Sequence, residues 1–240
     1  MKHLIVAIIL MLMTSCTSSA QQIDDDRFIS HVVDLKTQTL KFYLKDSLGN
    51  NYSNFLNLKT SLEHDNQSLI FAMNGGMYLR DGSPQGLYIE NGITKTPLDT
   101  LNKLKTNFYL KPNGVFYLTN DNKGAVCQTS EYKASSTITY ATQSGPMLVI
   151  NDSIHPIFKK DSKHFNVRNG VGVLPNGNLI FAMSKDTITL YDFADFFKTQ
   201  GCKNALYLDG FVSRTYLPKK KWVQLDGNFG VIIAETKHMN

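Results

Sequence analysis

The chain is a succession of short apolar runs, each stopped within a few residues by Gly, Pro or Asn, a pattern that favours hairpins and antiparallel pairing. Asn91-Gly92 follows the run at 86–90 and is a two-residue hairpin signal. Pro112-Asn113-Gly114 separates 108–110 from 115–118, Asn151-Asp152 separates 147–150 from 153–157, and Pro175-Asn176-Gly177-Asn178 separates 171–174 from 179–183. Each reads as a hairpin. The runs at 28–35 and 40–44, joined by 36–39, read as a further one. Runs 69–73 and 205–208 read as buried strands, and 229–234 closes the chain. Helical spacing occurs only at 55–65 and 188–199, the second with Asp192 and Asp195 toward its start, Lys198 at its end and Gly201 as C-cap. The class expected is α+β, a single domain with a mixed, largely antiparallel sheet and a few helices. Leu-Ile-Phe-Ala-Met occurs at 69–73 and again at 179–183, which reads as two similar buried strands, with a duplicated half or coincidence as the origin.

The N-terminus reads as a leader. Lys2 and His3 precede an unbroken apolar run, 4–13, too short to span a bilayer. Small residues then lead to Cys16, as in a bacterial lipoprotein signal; cleavage after Ala20 is the alternative. The organisation expected is a signal peptide over 1–15, a lipidated tether over 16–26 beginning at Cys16, and one domain over 27–240. The protein is expected to be exported and lipid-anchored in a bacterial envelope, touching the membrane through that anchor alone.

A net charge of +5 and short lysine clusters read as solvated turns, and an exported chain is a poor candidate for nucleic acid. Cys127 and Cys202 read as free thiols, with a disulfide as the alternative. His31, His64, His155, His164 and His238 show neither triad nor metal spacing, so no metal and no cofactor are expected.

Polar chemistry gathers where apolar runs end. Four motifs stand there: Asn74-Gly75-Gly76, Ser144-Gly145-Pro146, Arg168-Asn169-Gly170, and Asp209-Gly210 followed by Ser213-Arg214. A strand delivering Asp209 to a glycine bend places an acid at a sheet rim. Glycines let backbone N–H groups approach an anion. The chain has four arginines, and two lie in these motifs. A guanidinium fork matches phosphate oxygens bidentately. A structural Arg168–Asp209 ion pair is the alternative.

In these motifs, in their order, the chain resembles the phosphodiester glycosidase family. It is closer to a bacterial subgroup of exported proteins sharing Gly86-Leu87-Tyr88-Ile89, residues 111–116, residues 143–148 and Tyr191-Asp192-Phe193-Ala194. Phe211, Val212 and Arg214 depart from the small residues that another branch carries after the aspartate. The resemblance implies a phosphodiester glycosidase-like fold and hydrolysis of a glycosyl-1-phosphodiester in an envelope or extracellular glycan. Asp209 is then expected beside the anomeric carbon as base or nucleophile. Arg168 would clamp the phosphate with N–H groups of Gly75 and Gly76, and Asn74 and Ser144 would hold sugar hydroxyls or water. Gly145, Asn169, Gly210, Ser213 and Arg214 complete the expected substrate contacts. Asp81, Glu90 and Asp161 are candidates for a second carboxylate. The rival readings are a non-catalytic carbohydrate or phosphoglycan binder and a structural envelope lipoprotein.

Overall fold

A computed structural model describes residues 24–101, 106–209 and 211–239. The expected leader, Cys16 and most of the tether lie outside these residues. In chain order the first elements are β1 (Phe28–Val33), β2 (Thr39–Tyr43), α1 (Phe55–His64), β3 (Gln67–Asn74), β4 (Tyr88–Glu90) and β5 (Ile93–Thr96). A 3-10 turn at Asn107–Tyr109 precedes β6 (Gly114–Thr119), β7 (Gly124–Gln128), β8 (Ile138–Ser144), β9 (Met147–Ile150) and β10 (Ser153–Ile154). Then follow β11 (Asn169–Val173), β12 (Leu179–Ser184), α2 (Leu190–Thr199), β13 (Ala205–Asp209), β14 (Thr215–Leu217), β15 (Trp222–Val223) and β16 (Ile232–His238).

The strands form three sheets, ordered β1-β12-β11-β13-β9-β10, β15-β14-β3-β16-β2 and β5-β4-β8-β6-β7. Every pairing described between these strands is antiparallel. One core joins the sheets: Phe181 and Leu206 come from the first, Phe42 and Phe71 from the second, Phe116 from the third. The two copies of the repeated pentapeptide are β3 and β12, and their central rings, Phe71 and Phe181, meet across this core at 5.3 Å. The helices cover outer faces. Phe193 and Phe197 of α2 pack on Leu148, Ile180 and Tyr207, while Phe55, Leu58 and Leu62 of α1 pack on Ala72, Ile232 and Ala234. Caps set the helix starts: Asn54 accepts the Asn57 N–H, and Thr189 accepts the Asp192 N–H. Gly201, at φ +82°, ends α2.

Two expected hairpins are absent. β1 pairs with β12 and β2 with β16, so 28–35 and 40–44 belong to different sheets. Hydrogen bonds to Asp34 turn the intervening loop, and each strand is buried by its own partner. Residues 108–110 form no strand. Asn113 Nδ2 donates to the Phe108 carbonyl, closing a loop over the buried Phe108 ring, and β6 pairs with β7 and β8 instead. Cys127 and Cys202 are free, and burial pushes their thiols up to about 11 and about 12 respectively.

One crossover positions the candidate site. β13 lies inside the first sheet, between β11 and β9, and ends at Asp209. The chain then passes into the second sheet, where β14 pairs with the end of β3, Thr215 opposite Met73. Asp209 and Asn74, 135 positions apart, therefore meet at the seam between two sheets.

Candidate active site

Asp209 is held by a buried amide network. Asn74 Nδ2 donates to Asp209 Oδ2 at 2.9 Å, and the Phe211 N–H donates to Oδ1 at 3.0 Å. Asn169 stands opposite Asp209 at a register shift between β11 and β13. Its Oδ1 accepts the Asp209 N–H at 2.7 Å, and its Nδ2 donates to Asn74 Oδ1 at 2.8 Å and to the Asn74 carbonyl at 2.9 Å. The Arg214 N–H also donates to Asn74 Oδ1, at 3.0 Å. Backbone donors thus dictate both amide orientations. Asn74 Oδ1 must face the Arg214 N–H, which turns its Nδ2 toward the acid. Ser213 Oγ donates to the Asp209 carbonyl at 2.7 Å, and Ser144 Oγ donates to the Leu208 carbonyl at 2.8 Å. An acceptor-only carboxylate is what this donor set suits.

The acid opens on a cleft of about 610 Å³ whose lining includes Tyr78, Arg80, Gln85, Asn107, Asn166 and Phe211. Asp209 is the sole carboxylate among the described lining residues. Phe211 is 94% exposed at the rim. Burial, with the Asp209 charge added to it, pushes the Tyr78 phenol above its ordinary range, and its hydroxyl donates to the Asn228 carbonyl at 2.5 Å. Arg80 is exposed and forms no ion pair among the described residues.

Arg168 stands apart from the acid. Its Nε donates to the Ile188 carbonyl at 2.8 Å, Nη1 to the Tyr207 hydroxyl at 3.0 Å and Nη2 to the His164 carbonyl at 2.8 Å. No Arg168–Asp209 pair is among the described ion pairs. Burial and the Asp209 charge push the Tyr207 phenol up, the nearby Arg168 opposes them, and the balance is about 12. Arg168 borders a second cleft of about 700 Å³, which joins the first along Asn107 and Asn166.

Several expected contacts lie elsewhere. Asn74, Ser144 and Asn169 are fully buried and hold Asp209 and its strand, away from the cleft. The Gly75 N–H is spent on the Val231 carbonyl at 2.8 Å, and a Cβ there would stand 2.5 Å from Ile233, so this glycine serves packing. Gly76 has φ +152°, and a Cβ would meet Thr142 Oγ1 at 2.5 Å. Gly145 packs on Asn113, 2.6 Å from where a Cβ would be. The Arg214 guanidinium pairs with Asp226 at 3.0 Å instead of facing the acid. Gly210 lies outside the described residues. Of the candidate second acids, Asp81 caps Ser83 and Glu90 is half-buried beside Tyr88, both bordering another surface; Asp161 lines the second cleft. Arg80, Gln85, Asn107 and Asn166 line the cleft without having been among the expected contacts. Two of them carried a signal: Arg80 as a rare arginine four residues beyond the Asn74-Gly75-Gly76 turn, and Asn166 as the residue two before Arg168 in its strand-end motif.

Residues 67–231 match the family model of the phosphodiester glycosidases (NAGPA). The chain is 36% identical over 189 residues to protein YigE of Escherichia coli (strain K12), spanning 78% of this chain and 73% of that one. Its structure is similar to the catalytic domain of zebrafish N-acetylglucosamine-1-phosphodiester alpha-N-acetylglucosaminidase, auto-inhibited by its pro-peptide. The TM-score is 0.57 at 14% identity, covering 87% of this chain and 83% of that one. A candidate exported protein of Burkholderia pseudomallei K96243 gives a TM-score of 0.55 at 10% identity, covering 87% and 73%. At these identities the structural likeness is one of fold. Among the described residues no helix is long and apolar enough to cross a membrane.

Proposed function

The chain belongs to the phosphodiester glycosidase family, and from that premise we propose that it hydrolyses a glycosyl-1-phosphodiester of an envelope or extracellular glycan, with Asp209 as the acting carboxylate. The observation that carries the reading is the fixation of both Asp209 oxygens at the floor of an open cleft. A phosphate monoester leaves without protonation, so one acid suffices where ordinary glycosides need two. Asp209 takes a proton from water, the water oxygen bonds to the anomeric carbon, and the carbon–oxygen bond breaks with its electrons going to phosphate. Arg80, with the Asn107 and Asn166 amides, stabilises the growing phosphate charge, and Arg168 adds positive potential from the adjoining cleft. Asn74 and Asn169 are positioning residues that act through Asp209. Export by a leader over 1–15 and a lipid on Cys16 would put the cleft in contact with such glycans.

The test is a panel of glycosyl-1-phosphodiesters with the wild type and Asp209→Asn. Loss of the base is expected to lower turnover about 10²–10⁴-fold. Turnover in ¹⁸O-water should place the label on the sugar and none on phosphate, with inverted anomeric configuration in the first product. Full activity of Asp209→Asn would sink the assignment. Binding of the diesters without turnover, unaffected by Asp209→Asn, would select the non-catalytic binder.

A further inference from the structure

The cleft adjoining that of Asp209 is the more cationic of the two. One wall is the segment 157–164, anchored at its start by buried His155, whose Nε2 donates to the Lys111 carbonyl at 3.1 Å while Nδ1 accepts the Ile157 N–H at 3.2 Å. Lys159 and Lys163 are exposed on this wall, and Asp161 is the sole carboxylate among the described lining residues. Neither lysine forms an ion pair among the described residues. Behind them lies Arg168, 2% exposed, with only uncharged partners at its described hydrogen bonds. A buried charge is ordinarily matched by an opposite one, because removal from water is costly. Here three cations face one acid across a space open to an incoming anion. This cleft meets the Asp209 cleft at Asn107 and Asn166, so a ligand with its sugar at Asp209 continues into it.

We propose that the second cleft receives the alcohol portion of the diester, and that this portion bears at least one further phosphate. The identity of the broken bond rests on the hydrolase reading above; the charge of the cleft does not. A neutral alcohol would leave Lys159 and Lys163 facing water and draw nothing from Arg168.

Two diesters of one sugar test this, one with glycerol as the alcohol and one with glycerol phosphate. KM is expected to be roughly three- to tenfold lower for the second, the size that two partly solvated charge contacts supply. The advantage should shrink as NaCl rises from about 50 to about 500 mM. In the Lys159→Gln/Lys163→Gln double variant, whose exposed positions leave the melting temperature in place, the KM ratio should fall toward one. Equal KM values in the wild type, or a preference kept by the double variant, overturn the proposal. Calorimetric binding of glycerol phosphate reads the cleft without turnover and should be lost in the double variant. If neither diester is cut while that binding depends on the lysines, the hydrolase reading fails and the anion cleft stands. If both are cut and the binding ignores the lysines, the cleft assignment fails and the hydrolase reading stands.

Discussion

Replacing Asn74 by Asp converts a donor into a second acid at a defined distance. Asn74 Nδ2 lies 2.9 Å from Asp209 Oδ2, so Asn74→Asp sets two carboxyl groups face to face. The new side chain still accepts from Asn169 and from the Arg214 N–H, so the rest of the network keeps its partners. Two unit charges at that separation repel by about 6 kcal/mol at an effective dielectric of about 20, or about 4 pKa units. With the relief that a shared proton gives, the pair should hold one proton with an apparent pKa raised roughly 2–4 units. A pKa raised in the folded state contributes stability that is complete below the unfolded value of about 3.9 and is lost as pH rises through the folded value. The variant should therefore lose about 3–5 kcal/mol relative to the wild type between about pH 4 and about pH 8, a fall in Tm on the order of 10 °C. Parallel thermal melts of both proteins across this range measure it, with no need to know the substrate. Asn74→Leu is the control. It adds no charge but removes the donor to Asp209 and strands the Arg214 N–H and one N–H of Asn169 Nδ2, and its cost, about 3–5 kcal/mol, should ease in acid and stay level above about pH 6, where the Asn74→Asp deficit still grows. An Asn74→Asp protein whose deficit is the same at both ends of the range would refute the facing geometry.

Arg168→Ala empties a fully buried site and strands the Tyr207 hydroxyl, while the Ile188 carbonyl keeps the Asn166 N–H, and a loss of about 2–4 kcal/mol in denaturant unfolding is expected; an unchanged midpoint would contradict the buried network. Phe211→Ala removes an exposed ring from the cleft rim and should raise KM for the glycosyl-phosphodiester with little change in kcat, whereas an unchanged KM would show that the sugar does not touch it. Glu235 is buried, which opposes its charge, but hydrogen bonds with His31 at 2.6 Å and from Gln38 at 2.8 Å outweigh burial and hold it below its ordinary 4.5. Its stabilisation is present at neutral pH and lost as pH falls through that lowered value, so Glu235→Gln should cost about 1–3 kcal/mol at pH 7 and progressively less in acid; a deficit that grows in acid would reverse the sign.

Local chemistry was readable directly along the chain. The Asn91-Gly92 turn, the hairpins at 147–154 and 169–184, both helices and the β13 strand follow from turn residues and hydrophobic period, which act over a few neighbours. The acid at the end of β13 was likewise visible, because a carboxylate and a glycine after an apolar run mark a rim wherever the strand is placed. What turns on long-range pairing was not. Nothing between positions 28 and 44 announces that β1 and β2 join different sheets, since that choice is settled by β12 and β16, far along the chain. For the same reason Asn74, Ser144 and Asn169 look like ligand contacts in sequence and stand, once folded, behind Asp209 as its supports. An amide or hydroxyl has the same chemistry facing a cleft or facing a carbonyl. Only the packing of two sheets at their seam decides which, and it placed Arg80, Asn107 and Asn166 at the opening instead.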